Sequence, residues 1–280
     1  MDGMFIDNWT YEVFAKEGDN FETAQFRLWT PENDDKLNGI LVLLDHYNGN
    51  GLYLAEDLDW RKFATNFKLA IISVYFYSTD SQTGYFIANQ GSGQALQDAV
   101  VQLGQRHNLS QLSTLPFLLR GYSGGGMFSY TFSAYYPELV AGIADVRGGG
   151  LLLEMARNVY VPGLILVGEY ETARIEHTRT VINSLRDAGG TWGYAIQPKQ
   201  NHYGNLKPAD DLVRSFFEKV IEQRVDSDTK KLIEISQENG WLGNHQNLEI
   251  HSFETYPEIK MEASWLIDEV FAIKWQEFQK

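Results

Sequence analysis

Cysteine is absent from this chain of 280 residues, which excludes disulfide bonds, zinc–thiolate sites and a cysteine nucleophile. Long apolar runs are absent too. A membrane-spanning helix needs about 18 or more apolar residues, and the best candidate, Leu69–Tyr77, has the length of a buried strand. We therefore expect no membrane partner. The N-terminus lacks a basic region followed by an apolar core, so no signal peptide is predicted, and either a cytoplasmic protein or one whose leader has been removed fits the sequence.

Positive charge is also scarce, with 23 Lys and Arg residues against 37 Asp and Glu residues. The formal net charge of -14 argues against nucleic acid as a partner, because nucleic-acid binding depends on neutralising phosphates with basic side chains. We attribute the acidity to solubility. Hydrophobic content of 44% and charged content of 21% are typical of a globular protein, and the length allows one large α/β domain.

Short apolar runs alternate with amphipathic segments along most of the chain. Alternating strands and helices with short connections predict an α/β fold, in which one mostly parallel sheet carries helices on both faces. Two leading strands, at residues 11–15 and 23–29, are expected to form an antiparallel edge. The buried strands are predicted at Gly39–Leu44, Leu69–Tyr77, residues 117–119, Val140–Val146, Gly163–Gly168 and Trp192–Gln197.

The last part of the chain is predicted to be an extension of this core. We place the catalytic domain at residues 1–225 and an extension that packs on it at residues 226–280. A helix is predicted from Glu262 onward, since apolar side chains there repeat at helical spacing. The histidines outside the predicted site are expected on the surface, and none forms a metal-binding pair, so neither a metal nor a cofactor is predicted. These histidines are His107, His177, His245 and His251.

Residues 116–130, PFLLRGYSGGGMFSY, contain the clearest functional motif of the chain. An apolar run leads into Gly121-Tyr122-Ser123-Gly124-Gly125, and an aromatic-rich helical pattern follows. This predicts a strand, a sharp turn and a helix, with Ser123 at the apex of the turn. Because a helix N-terminus favours negative charge, the position suits a nucleophilic serine, and a turn serine without chemistry is the weaker interpretation.

A neutral serine needs a base, and the base needs an acid that orients it. Ligands bind beyond the carboxyl ends of parallel strands, so we searched the loops at those ends. His202 follows the last strand and is the candidate base. Glu171 follows Gly163–Gly168 and is the candidate acid, with Glu169 and Asp145 left open as alternatives. The chain order serine, acid, histidine is the order that this architecture produces.

Further residues are predicted from the same loops. A developing oxyanion needs preorganised donors, and the backbone N–H of Gly124 is one candidate. The second donor is expected after Leu44, at Tyr47 or alternatively at Asn48. Substrate-binding residues are predicted next to the catalytic ones, and they are Tyr122, Asn48, Tyr170 and Tyr203.

These motifs make the chain resemble α/β-hydrolase-fold serine esterases, nearest to the dienelactone-hydrolase-like and polyhydroxybutyrate-depolymerase-like branches. The resemblance covers roughly residues 20–225 and depends on GYSGGG at 121–126, GEYE at 168–171 and NHYG at 201–204. It implies the roles given above to Ser123, His202 and Glu171. The chain differs from the family pattern in two places. Asp45-His46 stands where the family often has His-Gly, and the family acid is more often aspartate.

The predicted function is hydrolysis of carboxylic esters through an acyl-enzyme intermediate. The segment between Val140–Val146 and Gly163–Gly168 is too short for a large lid, so an open site lined by aromatic side chains is expected. Such a site suits acyl or aryl esters of bulky carriers, including carbohydrates. The alternatives are a peptidase of the same fold and a binding protein that has lost its chemistry. The oligomeric state is left open by the sequence.

Overall fold

The continuous apolar runs of the sequence form the centre of the fold. The computed structural model describes residues 3–32, 36–80, 84–150 and 159–280. Parallel strands that are covered on both faces read as unbroken hydrophobic segments, and every residue of four of the central strands is buried. These four strands are β4 (Gly39–Leu44), β6 (Phe117–Tyr122), β7 (Val140–Val146) and β8 (Gly163–Gly168).

Five further strands complete a nine-stranded sheet with the order β1-β2-β3-β5-β4-β6-β7-β8-β9. The six strands β4 to β9 are parallel to one another, whereas β1, β2 and β3 extend the sheet beyond β5 as antiparallel strands. The predicted sheet and its antiparallel edge are confirmed, and β1 was not predicted. The added strands are β1 (Gly3–Phe5), β2 (Thr10–Phe14), β3 (Thr23–Trp29), β5 (Leu69–Tyr77) and β9 (Trp192–Gln197).

Helices cover both faces of the sheet, as predicted, and each face has its own apolar core. On one face Leu96, Phe128 and Val181 pack against the strands, and on the other face Trp60 and Phe216 do so. The first face carries α2 (Ser92–Arg106), α3 (Gly124–Tyr135) and α4 (Thr172–Asp187), and the second carries α1 (Leu58–Phe67) and α5 (Lys207–Arg224). None of the helices in the described ranges is both long and apolar enough to cross a membrane.

The parallel strands bring several loops to one edge of the sheet. The loops after β4, β6, β8 and β9 all leave from carboxyl ends, and ligands bind at this edge in sheets of this kind. The connection from β7 to β8, where no large lid was expected, runs over residues 147–162. Part of it, residues 151–158, lies outside the described residues.

The C-terminal tail forms a second sheet that the sequence did not predict. Three short antiparallel strands have the order β11-β10-β12, and one helix follows them. The helix packs on α5 and β9. The boundary at residue 225 stays a prediction. The tail elements are β10 (Trp241–Gly243), β11 (Ile250–Ser252), β12 (Ser264–Leu266) and α6 (Glu269–Phe278).

Two predictions for the tail were wrong. Residues Ser264–Leu266 form a strand and the helix begins only at Glu269, because Asp268 caps it by accepting a hydrogen bond from the Phe271 N–H. His245 does not lie free on the surface. Its ring stacks on Tyr194 at 3.6 Å between centroids, and burial lowers the pKa of its imidazole to about 3. The strand β12 and the ring of His245 both pack against β9, and a local pattern does not show such packing.

The tail also covers the outer edge of the main sheet. An uncovered edge strand exposes unpaired backbone groups that can pair with another chain. Ser264 Oγ accepts a hydrogen bond from the Tyr194 N–H at 2.8 Å and donates to the Tyr194 carbonyl at 3.1 Å. Trp275 Nε1 donates to the same carbonyl at 2.6 Å. Gln279 Oε1 accepts from the Ile196 N–H at 3.0 Å. Side chains of the tail thus replace a tenth strand.

We expect Ser264→Ala to lower the free energy of unfolding by about 1–3 kcal/mol, because it leaves the buried Tyr194 N–H without its partner. Ser252→Ala is the matched control, since this hydroxyl lies on the exposed side of the same small sheet and bonds only within its own turn. We expect that variant to change stability by less than about 0.5 kcal/mol. Urea denaturation of both variants is the measurement, and equal losses would refute the edge-covering role.

Candidate active site

Ser123 occupies a strained turn between β6 and α3. Its backbone angles, φ 54° and ψ -116°, are rare for a residue with a side chain. The Ser123 N–H donates to the Val146 carbonyl at 2.8 Å, which fixes the turn against β7. Glycine is required on both sides of the serine. A Cβ at Gly121 would collide with the Gly125 backbone, and a Cβ at Gly125 would collide with the Asp45 carbonyl oxygen.

The structure brings Ser123, His202 and Glu171 together in one row. His202 Nε2 lies 3.0 Å from Ser123 Oγ, and His202 Nδ1 lies 2.9 Å from Glu171 Oε1. Both distances are within hydrogen-bonding range. A hydroxyl, an imidazole and a carboxylate connected in this order can move a proton from the serine oxygen to the imidazole while the carboxylate stabilises the resulting charge.

The Glu171 carboxylate has two further hydrogen-bond donors besides His202. The Gly168 N–H donates to Oε2 at 2.9 Å, and Arg174 Nε donates to Oε1 at 2.9 Å. Glu171 precedes the first residue of α4, where the helix dipole also favours a negative charge. The side chain is only 8% exposed. The carboxylate is therefore held on both oxygens beneath the imidazole.

The two alternative acids point to other partners. Glu169 Oε2 accepts a hydrogen bond from the Lys199 N–H at 2.6 Å. Asp145 is fully buried on β7 and accepts from the Gly148 and Gly150 N–H groups at 2.7 and 2.8 Å. Burial raises the pKa of Asp145 to about 6, and these two amides oppose the rise. Asp145 therefore organises the loop after its strand.

Arg147 is a residue of the site that the sequence reasoning missed. It is 1% exposed, and its Nη1 donates to the carbonyls of His202 and Gly204 at 2.8 and 3.0 Å. The Tyr122 hydroxyl donates to the same His202 carbonyl at 2.8 Å. Burial lowers the pKa of the Arg147 guanidinium and raises that of the Tyr122 phenol. A possible signal was an arginine placed directly between the apolar run of β7 and a run of glycines.

The two predicted oxyanion donors lie close together. A Cβ placed on Gly124 would sit 3.1 Å from the Tyr47 nitrogen and 3.0 Å from its Cα, so the loop after β4 touches the first residue of α3. The Tyr47 hydroxyl donates to the Ser78 carbonyl at 2.7 Å, which ties this loop to the end of β5. The two candidate donors therefore lie next to each other at the turn that carries Ser123.

Asn48, predicted to bind substrate, has its side-chain amide bonded within the protein. Its Nδ2 donates to the Ser78 carbonyl and its Oδ1 accepts from the Ser78 N–H, both at 2.9 Å. Asn48 also has a positive φ of 56°, a conformation that asparagine tolerates better than most residues. These contacts anchor the loop that carries Tyr47.

Tyr170 and Tyr203 are 64% and 85% exposed and stand beside the row of three side chains. The Tyr203 ring meets the His202 ring edge to face, with 5.0 Å between centroids. Both side chains present a flat aromatic ring to solvent. Exposed aromatic rings therefore lie next to His202 and Glu171 in the chain.

The loop after β4 contains a second group of polar side chains. Asp45 Oδ1 accepts a hydrogen bond from the His46 N–H at 2.8 Å, and the Tyr53 hydroxyl lies within 3.3 Å of Asp45 Oδ2. Burial, together with the Asp45 charge, raises the pKa of Tyr53 to about 12. Asp45 and His46, which differ from the family pattern, thus lie in a turn whose side chains form hydrogen bonds within the loop.

Across the described ranges, no group of three or more His, Asp or Glu residues could hold a metal ion.

Comparisons with known proteins show similarity in structure but not in sequence. No protein-family model matches the chain, and no curated protein matches it in sequence. Solved structures do match. A poly(3-hydroxybutyrate) depolymerase from Bordetella parapertussis superimposes with a TM-score of 0.53 at 15% identity, over 74% of this chain and 88% of that one.

Two other solved structures give comparable matches. Dienelactone hydrolase from Anabaena variabilis has a TM-score of 0.53 and 19% identity, over 75% of this chain and 98% of that one. An S-formylglutathione hydrolase from Agrobacterium tumefaciens has a TM-score of 0.52 and 9% identity, over 79% and 98%. The parallel sheet, its antiparallel edge and its covering helices agree with these matches, and the chain has the α/β-hydrolase fold.

Proposed function

We propose that this protein is a serine hydrolase that cleaves carboxylic esters through an acyl-enzyme intermediate. The observation that carries the proposal is the row of contacts in which His202 bridges Ser123 Oγ at 3.0 Å and Glu171 Oε1 at 2.9 Å. Side chains that are 79 and 31 residues apart in sequence meet at the one edge of the sheet where ligands bind. The similar hydrolase structures add support at the level of the fold.

In the first half of the proposed reaction, Ser123 Oγ attacks the carbonyl carbon of the ester and its proton passes to His202 Nε2. The carbonyl oxygen becomes an oxyanion that the backbone N–H groups of Gly124 and Tyr47 stabilise. When the tetrahedral intermediate collapses, the bond to the alcohol oxygen breaks. His202 returns the proton to the leaving alcohol, and the acyl group stays on Ser123.

In the second half, a water molecule takes the position of the alcohol. His202 accepts a proton from this water while the water oxygen attacks the acyl carbon. The bond from that carbon to Ser123 Oγ then breaks, the proton passes from His202 to Ser123 Oγ, and the carboxylic acid leaves. Glu171 keeps the imidazole in the tautomer that presents a bare Nε2 to the serine, and it stabilises the imidazolium in both halves. Tyr122 and Arg147 hold the His202 carbonyl and thereby fix the ring in position.

We further propose that the substrates are acyl or aryl esters of bulky carriers, such as decorated carbohydrates. The exposed rings of Tyr170 and Tyr203 support this, because flat apolar surfaces stack on sugar rings and on aryl groups. The net charge of -14 disfavours strongly anionic substrates.

The test of the proposed function is covalent labelling with a fluorophosphonate, followed by peptide mass spectrometry. We expect the wild-type protein to be modified at Ser123 and to hydrolyse p-nitrophenyl acetate. Ser123→Ala should lose at least about 10³-fold in kcat/KM, because the nucleophile is gone. If the folded wild-type protein stays unmodified at Ser123, the proposed hydrolase activity is refuted, and a binding protein with the same fold becomes the better interpretation.

Glu171→Gln is expected to lower kcat by about 10²–10⁴-fold, because a neutral amide no longer stabilises the imidazolium. Glu169→Gln is the matched control, two residues away on the same loop. Its carboxylate bonds to the Lys199 N–H instead of to His202, so kcat should hardly change. Steady-state kinetics with p-nitrophenyl acetate measures both variants. If both variants show similar, mild decreases in kcat, Glu171 is not the acid that orients His202.

Tyr203→Ala is expected to raise KM for a feruloylated sugar by about fivefold, the loss of roughly 1 kcal/mol of aromatic contact. KM for p-nitrophenyl acetate and kcat for both esters should stay close to the wild-type values, because the small acetate does not reach the rim. Tyr160→Ala is the control, since Tyr160 is also 63% exposed but belongs to the segment that precedes β8. An unchanged KM for the sugar ester would exclude Tyr203 from the substrate surface.

A further inference from the structure

Arg174 touches the candidate acid directly, although the proposed reaction gives it no role. It lies on the first turn of α4, and its Nε donates to Glu171 Oε1 at 2.9 Å. Its Nη1 donates to the Gly148 carbonyl at 2.6 Å, on the loop that follows β7. One guanidinium therefore connects the carboxylate to a different part of the sheet edge.

The far end of this connection is itself fixed. The Gly148 N–H donates to the buried Asp145 carboxylate at 2.7 Å, and the Gly150 N–H donates to the other oxygen of that group at 2.8 Å. The Gly148 carbonyl that receives Arg174 is thus held by a fully buried side chain of β7. Arg174 transmits the position of this loop to Glu171.

The need for such a support follows from the length of the acid. A glutamate has one more rotatable bond than an aspartate, so its carboxylate loses more conformational freedom when it is held in one place. Oε2 is fixed by the Gly168 N–H at 2.9 Å. Oε1 is the oxygen that faces His202 Nδ1, and Arg174 Nε is its second donor. A planar guanidinium can make both of its contacts at once because its donors have a fixed geometry.

We propose that Arg174 is a positioning residue of the reaction, which acts by holding the Glu171 carboxylate in the orientation that His202 requires. The inference rests on the proposed ester hydrolysis. The competing interpretation is an ordinary ion pair between residues three apart on a helix, which stabilises a protein little and affects no reaction. The two interpretations differ in one respect, because a positioning residue can act only while the carboxylate is present.

A double-mutant cycle separates them. The rate of fluorophosphonate labelling at Ser123 is measured for Arg174→Met in the wild-type background and in the Glu171→Gln background. We expect a roughly tenfold slower labelling in the first background, because a catalytic group misplaced by about 1 Å can cost up to about 10²-fold and the Glu171 carboxylate keeps the Gly168 N–H as a donor. In the second we expect a change of less than about twofold, because interacting residues are not additive. Thermal unfolding of each variant shows whether it is folded.

Arg179→Met is the matched control. Arg179 lies on the same helix but its hydrogen bond goes to Tyr194, away from the site. We expect Arg179→Met to label at the rate of its parent in each background, which is the wild-type rate in the first and the Glu171→Gln rate in the second. Arg174 is half-buried, with 34% of its side chain exposed, so the loss of this side chain should leave the protein folded.

Three outcomes would overturn the inference. An unchanged rate for Arg174→Met in the wild-type background shows that Glu171 needs no support. An equal slowing in both backgrounds shows that Arg174 acts through the general structure and not through the carboxylate. If wild-type Ser123 is not labelled at all, the proposed function fails and the inference fails with it. This outcome is distinct from the first two, because in both of those the wild-type protein is labelled.

Discussion

The backbone carbonyl of His202 is the point on which the arrangement of the site depends. It receives the Tyr122 hydroxyl from the end of β6 and the Arg147 guanidinium from the loop after β7, both at 2.8 Å. Tyr122 directly precedes Ser123, so the residue next to the hydroxyl also holds the loop that carries the imidazole. A loop of this kind has no regular backbone pairing of its own. These two hydrogen bonds hold the loop at the residue that carries the imidazole, and other contacts, such as the one from the Tyr170 N–H to the Gln200 carbonyl at 2.9 Å, hold its start.

Crowding explains the geometry on the other side of the serine. Gly121 and Gly125 lie where the strand, the helix and the loop after β4 approach most closely, and a Cβ at either position would collide with backbone atoms. This close approach lets the Tyr47 nitrogen lie near the start of α3. The strained backbone of Ser123 is held by the same packing, because its N–H donates a hydrogen bond to the Val146 carbonyl at the end of β7. The turn and the candidate oxyanion site are two aspects of one contact.

The tail covers the outer edge of the main sheet along β9, the strand whose carboxyl end leads to His202. Its side chains satisfy the outer N–H and C=O groups of Tyr194 and the N–H of Ile196, so β9 does not present an open edge in this region. His245 belongs to this packing, since its ring stacks on Tyr194 and its Nε2 lies 2.7 Å from Ser264 Oγ. The small tail sheet and its helix thus close the outer edge of the main sheet.

The fold class and the serine turn could be predicted from the amino-acid sequence alone. Unbroken apolar runs indicate strands that are covered on both faces, and the glycine spacing around Ser123 is typical of a sharp turn between a strand and a helix, so both are readable from local pattern. The sequence also supplied His202 and three candidate acids. Three features became clear only from the folded chain. They are the acid that faces the imidazole, the contacts of Arg147 and Asn48, and the sheet of the tail. These features depend on hydrogen bonds between residues far apart in the chain, such as Arg147 with His202 and Tyr194 with Ser264, and no local periodicity encodes them.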